Sequence, residues 1–305
     1  MKERIQQSKI LVVGSSNTDM VIKTNHLPRP GETVLGGTFF MNPGGKGANQ
    51  AVAAARMGGN VTFISKVGND LFGKQSIEGY IAEGIKTDYI FTASGNPSGI
   101  ALITVDAKGE NCIVVAPGAN ATLTPGDILK VKSEIESSEL LLMQLEIPVE
   151  TVEHAAGIAF AKGVRVILNP APAQTLTGNL LKYLYMITPN KTEAEMLSGI
   201  KITDWESAKK AADVISEKGV KIVVITLGSQ GALIKDGDQY QQIDVTPVEA
   251  VDTTAAGDTF CGALCVALTD GLTISDSVCF ACKAAAISIT RMGAQSSIPY
   301  KEEIN

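Results

Sequence analysis

Apolar and polar positions along the chain fall into two regimes that meet near Thr124. In the first, short apolar runs mix with one helical pattern. "KILVVG" (9–14) is a continuous apolar run of buried-strand length, and "DMVIKT" (19–24) and "GIALITVD" (99–106) read as further strands. "ENCIVVA" (110–116) is placed to pair with the last of these across the turn at Ala107-Lys108-Gly109. Between them, "GKGANQAVAAARMGG" (45–59) has the alanine content of a helix and stops at paired glycines.

Beyond Thr124 helical and strand patterns alternate. The spacing predicts a helix in "PGDILKVKSEIES" (125–137), a strand in "ELLLMQL" (139–145), a helix in "PVETVEHAAGIAFAKG" (148–163) and strands in "VRVILN" (164–169) and "YLYMITPN" (183–190). A helix over "DWESAKKAADVISEKG" (204–219) precedes the strand "KIVVITLG" (221–228) and a β-rich stretch, "GALIKDGDQYQQIDV". Two helices close the chain, "AGDTFCGALCVALTDG" (256–271) and "TISDSVCFACKAAAISITRMG" (273–293). This alternation implies βαβ units: an α/β, doubly wound, mostly parallel sheet flanked by helices, in a single domain over residues 1–305. The strands near 18–40 and 98–116 stand outside that rhythm and are expected to form a small sheet on top of it. In such folds ligands sit beyond the carboxyl ends of the strands. That rule selects "GSSNTD", "QLE", "NPAPA", "TPNKTE" and "TLGSQG".

Bulk properties narrow the partners. The 305 residues are 45% hydrophobic and 19% charged, enough apolar content for one large core. A net charge of −6 gives no basis for nucleic acid or an anionic membrane as the main partner. No apolar stretch is long enough for a signal h-region or a membrane span. Five cysteines, an odd number, fit a reducing cytoplasm. Cys261/Cys265 and Cys279/Cys282 lie in alanine-rich helical patterns without a nearby histidine, which favours buried thiols over zinc.

The chemistry concentrates in "VDTTAAGDTFCGAL" (251–264). A helix beginning near Ala256 aims free N–H groups and its positive dipole end at whatever precedes it. Small residues there let an anion approach the backbone. Asp258 alone would do no more than complement the dipole. Beside the cradle of Thr253-Thr254-Ala255-Ala256-Gly257 it supplies a base next to an anion hole, the two parts an alcohol needs to attack a phosphoryl group. "NPGGKGANQAVAAA" (42–55) fits neither common phosphate-loop pattern, since Gln50 stands where Gly-x-Gly-x-x-Gly needs its last glycine. Lys46 and Asn49 at its helix start, Asn17 and Asp19 after the first strand, and Glu146 after "LLMQL" together suit a polyol. "TLGSQGALI" (226–234) offers a glycine turn to a nucleotide. His26 and His154 lie in no catalytic context, so a Ser-His-Asp hydrolase is disfavoured.

Taken in order, these residues resemble the ribokinase family of carbohydrate kinases. "NPGGKGANQAVAAARMG" is similar to its N-terminal signature and "DTTAAGDTFCGA" to its C-terminal one, and the likeness runs on through "PGANATLTP", "LLMQLEIP", "NPAPA", "TPNKTEAE" and "RMGAQSSIP". The resemblance implies ATP-dependent phosphorylation of D-ribose at O5, or of deoxyribose, another pentose or a nucleoside, with a catalytically idle sugar sensor as the contrasting reading. It implies Asp258 as base and the N–H groups of Ala255, Ala256 and Gly257 as anion hole. Asn17, Asp19, Gly45, Lys46, Asn49 and Glu146 would hold the sugar. ATP would contact Asn190 and the run Thr226, Leu227, Gly228, Ser229, Gln230 and Gly231. Glu193 would place Mg²⁺ through water. K⁺ would be held by Asp252, Thr254, Ser288, Arg291, Gly293 and Ser297. Cys282 falls where relatives often carry Asn or His near the adenine. The small sheet would be a lid and a homodimer interface.

Overall fold

The computed structural model describes residues 9–304. Strands β1 (Lys9–Val13), β2 (Asn17–Lys23) and β3 (Thr38–Gly44) lead into α1 (Lys46–Arg56), then β4 (Asn60–Gly68), α2 (Leu71–Ala82), β5 (Ile90–Ala93), β6 (Gly99–Val105) and β7 (Asn111–Ala116). Helices α3 (Pro125–Lys130) and α4 (Lys132–Glu136) precede β8 (Leu140–Met143), α5 (Val149–Ala161), β9 (Arg165–Leu168), α6 (Gly178–Tyr183) and β10 (Met186–Ile187). There follow α7 (Lys191–Ser198), α8 (Trp205–Glu217), β11 (Ile222–Thr226), β12 (Ala232–Asp236), β13 (Gln239–Ile243), α9 (Ala256–Thr269) and α10 (Ile274–Ser288).

Nine strands form one sheet in the order β13-β12-β11-β10-β9-β8-β1-β4-β5, parallel except where β12 and β13 turn back at one edge. Alternation along β1 explains why helices cover both faces. Ile10 and Val12 point into a core with residues of α1, α9 and α10, whereas Leu11 and Val13 point into a second core with α3, α5 and α8. All four side chains are fully buried, so the strand reads as an unbroken apolar run. The chain crosses from β1 to β4 on one side and later to β8 on the other. This reversal opens a crevice beyond the carboxyl ends of β1 and β8.

A second sheet, β3-β2-β6-β7, stands over that crevice. Its register sorts the side chains cleanly. Asp19, paired with Asn42 and Ala101, shares a face with Val21, Phe40 and Ile103. Asp19, Val21, Phe40, Asn42 and Ile103 line a cleft of about 610 Å³ closed from below by Ala250–Thr254 and Met292–Ala294. The opposite face carries Ile22, Phe39, Met41, Leu102 and Val114, from 43% to 63% exposed.

Three sequence expectations shift in detail. The helix anticipated over 125–137 is broken at Val131, which closes α3 and opens α4. The strand anticipated over 183–190 shrinks to Met186–Ile187, because Tyr183 ends α6 and Asn190 caps α7. Strands β4 and β5 and helices α2, α6 and α7 come in addition. No helix among the described residues is long and apolar enough to cross a membrane.

Candidate active site

The loops leaving the strands meet the N-termini of α1 and α9 in the crevice. Gly45 opens α1 at φ 91°, and a β-carbon there would fall 2.7 Å from the Asn17 nitrogen, so the turn accepts no side chain. It contributes no capping side chain; Glu146, from the loop after β8, does that work instead. Its Oε2 accepts from the Lys46 backbone N–H at 2.9 Å and from the Ser15 hydroxyl at 2.5 Å. Asn120 ties the base of the small sheet to the core: its Oδ1 accepts from Ser16 N–H (2.9 Å) and its Nδ2 donates to Asn17 Oδ1 (2.8 Å).

Asp258 lies buried in the first turn of α9. Its Oδ2 accepts from Asn49 Nδ2 at 3.0 Å and its Oδ1 from Gln50 Nε2 at 2.9 Å. Asn49 Oδ1 is buried without a protein partner, an acceptor suited to a ligand hydroxyl. Ala255, immediately before the helix, adopts φ 59° and ψ 11°, alone among the described non-glycine residues at positive φ. After that left-handed step the Ala256 N–H bonds back to the Thr253 carbonyl at 3.3 Å, whereas those of Gly257 and Asp258 have no backbone acceptor.

Charges in the crevice are strongly coupled. Burial pushes the Asp19 carboxyl up to about 7, with Glu146 and Asp258 adding like charge and Lys46 opposing them. Asp258 is the main reason that the Lys46 ammonium is raised; Glu146 and Glu193 add to it against burial. Glu193 is raised by burial, opposed by the Asn190 N–H and by Lys46. One ammonium thus serves four carboxylates, and the crevice favours a ligand that brings hydroxyl groups and accepts protonic contacts.

Glu193 and Asn190 cap α7 reciprocally, with Asn190 N–H and Nδ2 donating to the two Glu193 oxygens at 2.8 and 2.9 Å. Both oxygens thus accept one hydrogen bond each within the cap. Asn190 also bridges to Thr226, which brings the Thr226–Gly231 turn alongside. Cys282 lines a separate cleft of about 340 Å³ with Val245, Thr246, Val248 and Cys279.

A family model described as pfkB family carbohydrate kinase matches residues 7–301. The chain belongs to that family. It is 47% identical over 294 residues to the ribokinase of Haemophilus influenzae, covering 96% of each. The structure of the ribokinase from Thermotoga maritima superposes with a TM-score of 0.89 at 41% identity, over 98% of both chains. That of Arabidopsis thaliana ribokinase complexed with ribose and ATP superposes at 0.89 with 30% identity, covering 98% of this chain and 97% of the other.

In this carbohydrate kinase the residues suggested for a monovalent cation cluster only in part. Asp252 Oδ1 accepts from Thr254 N–H (2.9 Å) and hydroxyl (2.6 Å), and its Oδ2 accepts from Gly293 N–H (2.9 Å). Burial would raise Asp252, yet these bonds win and hold it below the usual carboxylate value. The hydroxyls of Ser288 and Ser297 each donate to a carbonyl of their own segment, and the Arg291 guanidinium turns to Glu303. Arg291 could offer only its backbone carbonyl, whereas Ser288 and Ser297 keep hydroxyl lone pairs as well. With Asp252 ionised the set is all oxygen, as a hard cation requires.

Four amides that organise this kinase site carry no local sequence pattern: Gln50, Asn120, Gln144 and Asn169. Gln144 and Asn169 fall within strand-end segments, and Gln50 stands where a dinucleotide loop would have its last glycine. The available signal was a glutamine on the inner face of an alanine-rich helix.

Proposed function

We propose that this carbohydrate kinase transfers the γ-phosphoryl group of ATP to O5 of D-ribose. The observation that carries the reading is the buried Asp258 carboxylate at the start of α9, held by Asn49 and Gln50 in the first turn of the helix. Asp258 takes the proton from O5 as the O5–P bond forms and the bond to the bridging oxygen of ADP breaks. The N–H groups of Ala255, Ala256 and Gly257 receive the charge on the moving phosphoryl oxygens. Asn17, Asp19, Gly45, Lys46, Asn49 and Glu146 orient the sugar. Asn190 and Thr226–Gly231 receive ATP, and the cleft beside Cys282 its base. Glu193 would hold Mg²⁺ through water, and Asp252 with Thr254, Gly293 and the carbonyls of Ser288, Arg291 and Ser297 would hold K⁺. When bound, the first offsets triphosphate charge and the second stiffens the loop entering α9.

The whole chain acts as one catalytic unit, with the β3-β2-β6-β7 sheet closing as a lid over the sugar and excluding water. Its outer apolar row of Ile22, Phe39, Met41, Leu102 and Val114 supports a homodimer through that sheet. The cytoplasm is the compartment where ATP and reduced thiols coexist with these substrates.

The test is ADP release from purified protein with Mg-ATP across ribose, deoxyribose, other pentoses and nucleosides, with and without K⁺. Turnover highest on ribose and lost in Asp258→Asn is expected. Ribose binding without turnover on any acceptor would leave a sugar sensor instead.

A further inference from the structure

Gln50 is fully buried in the first turns of α1. Two groups that can only accept fix how its amide points. The Thr188 carbonyl accepts from Asn169 Nδ2 at 3.1 Å, which turns Asn169 Oδ1 toward Gln50, where it accepts from Nε2 at 3.1 Å. The Asp258 carboxylate accepts from the same Nε2 at 2.9 Å. Both Gln50 amide hydrogens are therefore used, and its Oε1 is left to accept from Gln144 Nε2 at 2.5 Å. Each amide in this network has one permitted orientation.

We propose that Gln50 is the positioning residue for the Asp258 base, locked by Gln144 and Asn169 so that it can only donate to Oδ1. The proposal rests on reading Asp258 as the base. Pinning Oδ1 from the protein interior leaves Oδ2, held on its other side by Asn49, as the oxygen that receives the substrate proton. A neutral amide suits this position because it orients the carboxylate without offering a competing site for that proton. A carboxylate in its place would share the proton with Asp258, as paired acids do.

The experiment compares Gln50→Met and Gln50→Glu with the unaltered protein in steady-state kinetics from pH 5 to 9, alongside sugar binding by calorimetry. For Gln50→Met, kcat should fall about 30-fold with KM for sugar and ATP moving less than about threefold, since Gln50 touches neither. For Gln50→Glu, the acid limb of the kcat profile should move up by about one pH unit or more. Gln144→Met, which releases the far end of the amide without touching Asp258, should give a smaller kcat loss of the same kind; it serves if a Gln50 variant does not fold. Asp258→Asn separates the two ideas. If it retains turnover, the base reading falls and this proposal with it. If it is inactive while Gln50→Met and Gln144→Met, still binding sugar, keep kcat and pH profile, Gln50 is a packing residue only.

Discussion

A β-carbon at Gly262 would lie 2.5 Å from the β-carbon of Ala53 and 2.7 Å from the Gln50 carbonyl, so α9 and α1 pack here with no room for a side chain. The same two helices carry Asp258 and Gln50 into contact at 2.9 Å one turn away. Helix separation and base position are therefore one variable. Gly262→Ala should destabilise by about 1–3 kcal/mol through overpacking, and should lower kcat more than it alters either KM. Thermal unfolding and steady-state kinetics on the same preparation check both; an unchanged melting temperature would show that α1 can yield.

Much of this arrangement was legible in the sequence, for reasons that differ by residue. Strand β1 announced itself because both its faces are buried, and Asp258 because small residues and an acid meet at a helix start. Strand β10 is shorter than "YLYMITPN" suggests because that run opens with five apolar or aromatic residues, of which only Met186 and Ile187 find strand neighbours on both sides. Gln50 stayed hidden because its partners Gln144 and Asn169 lie 94 and 119 residues away. A buried amide has no local pattern: its meaning is set by acceptors the chain brings from elsewhere.

Asp19 gives the site its pH dependence. Its carboxyl, raised from 3.8 to about 7 by burial and then by Glu146 and Asp258, binds a proton when folded that it releases when unfolded. Its stabilising contribution is full below pH 3.8 and is lost as pH rises to about 7. Asp19→Asn should therefore gain stability above pH 7, by about 2 kcal/mol after screening, and none near pH 4. Sugar binding should run the other way, tightening as Asp19 ionises and becomes a stronger acceptor. Melting temperature and calorimetric affinity measured from pH 5 to 8 test the opposed signs, and both slopes should flatten in Asp19→Asn.

Asp252 is held ionised by three donors that converge on its two oxygens. Asp252→Asn would set an amide NH₂ against either Gly293 N–H or the Thr254 pair, leaving one donor facing another. The loops before α9 and after α10 should loosen, and K⁺ should lose at least about tenfold in apparent affinity. A melting-temperature titration with KCl, with a bulky cation as control, reads this without reference to turnover. An unaltered K⁺ response would move the cation away from Asp252.

The outer row of the small sheet predicts its own disruption. Val114, 63% exposed, sits beside Leu102 in register, with Met20 and Met41 completing the row. Val114→Asp should cost the isolated chain little, because the position faces solvent, yet should split a dimer built on that face. Light scattering after size exclusion distinguishes the cases: a wild-type monomer, or a Val114→Asp dimer, would remove this face as the interface.

Ala255 holds the left-handed turn before α9 with a side chain that disfavours it. Relative to glycine the conformation costs about 1–2 kcal/mol, but glycine would add about 0.4–1 kcal/mol of unfolded-chain entropy to be lost on folding. These nearly offset, so Ala255→Gly should change overall stability by less than about 1 kcal/mol. Its effect should appear in catalysis. A glycine there leaves the N–H groups of the first turn free to wander from the phosphoryl path, lowering kcat several-fold while ATP and sugar still bind. Ala255→Val makes the converse test, since a β-branched residue fits the turn poorly and should lose about 1–2 kcal/mol or more. Equal melting temperatures for Ala255→Gly and the unaltered protein, with reduced kcat, would assign the methyl group to preorganisation. Equal kcat would show that α9 alone fixes those N–H groups.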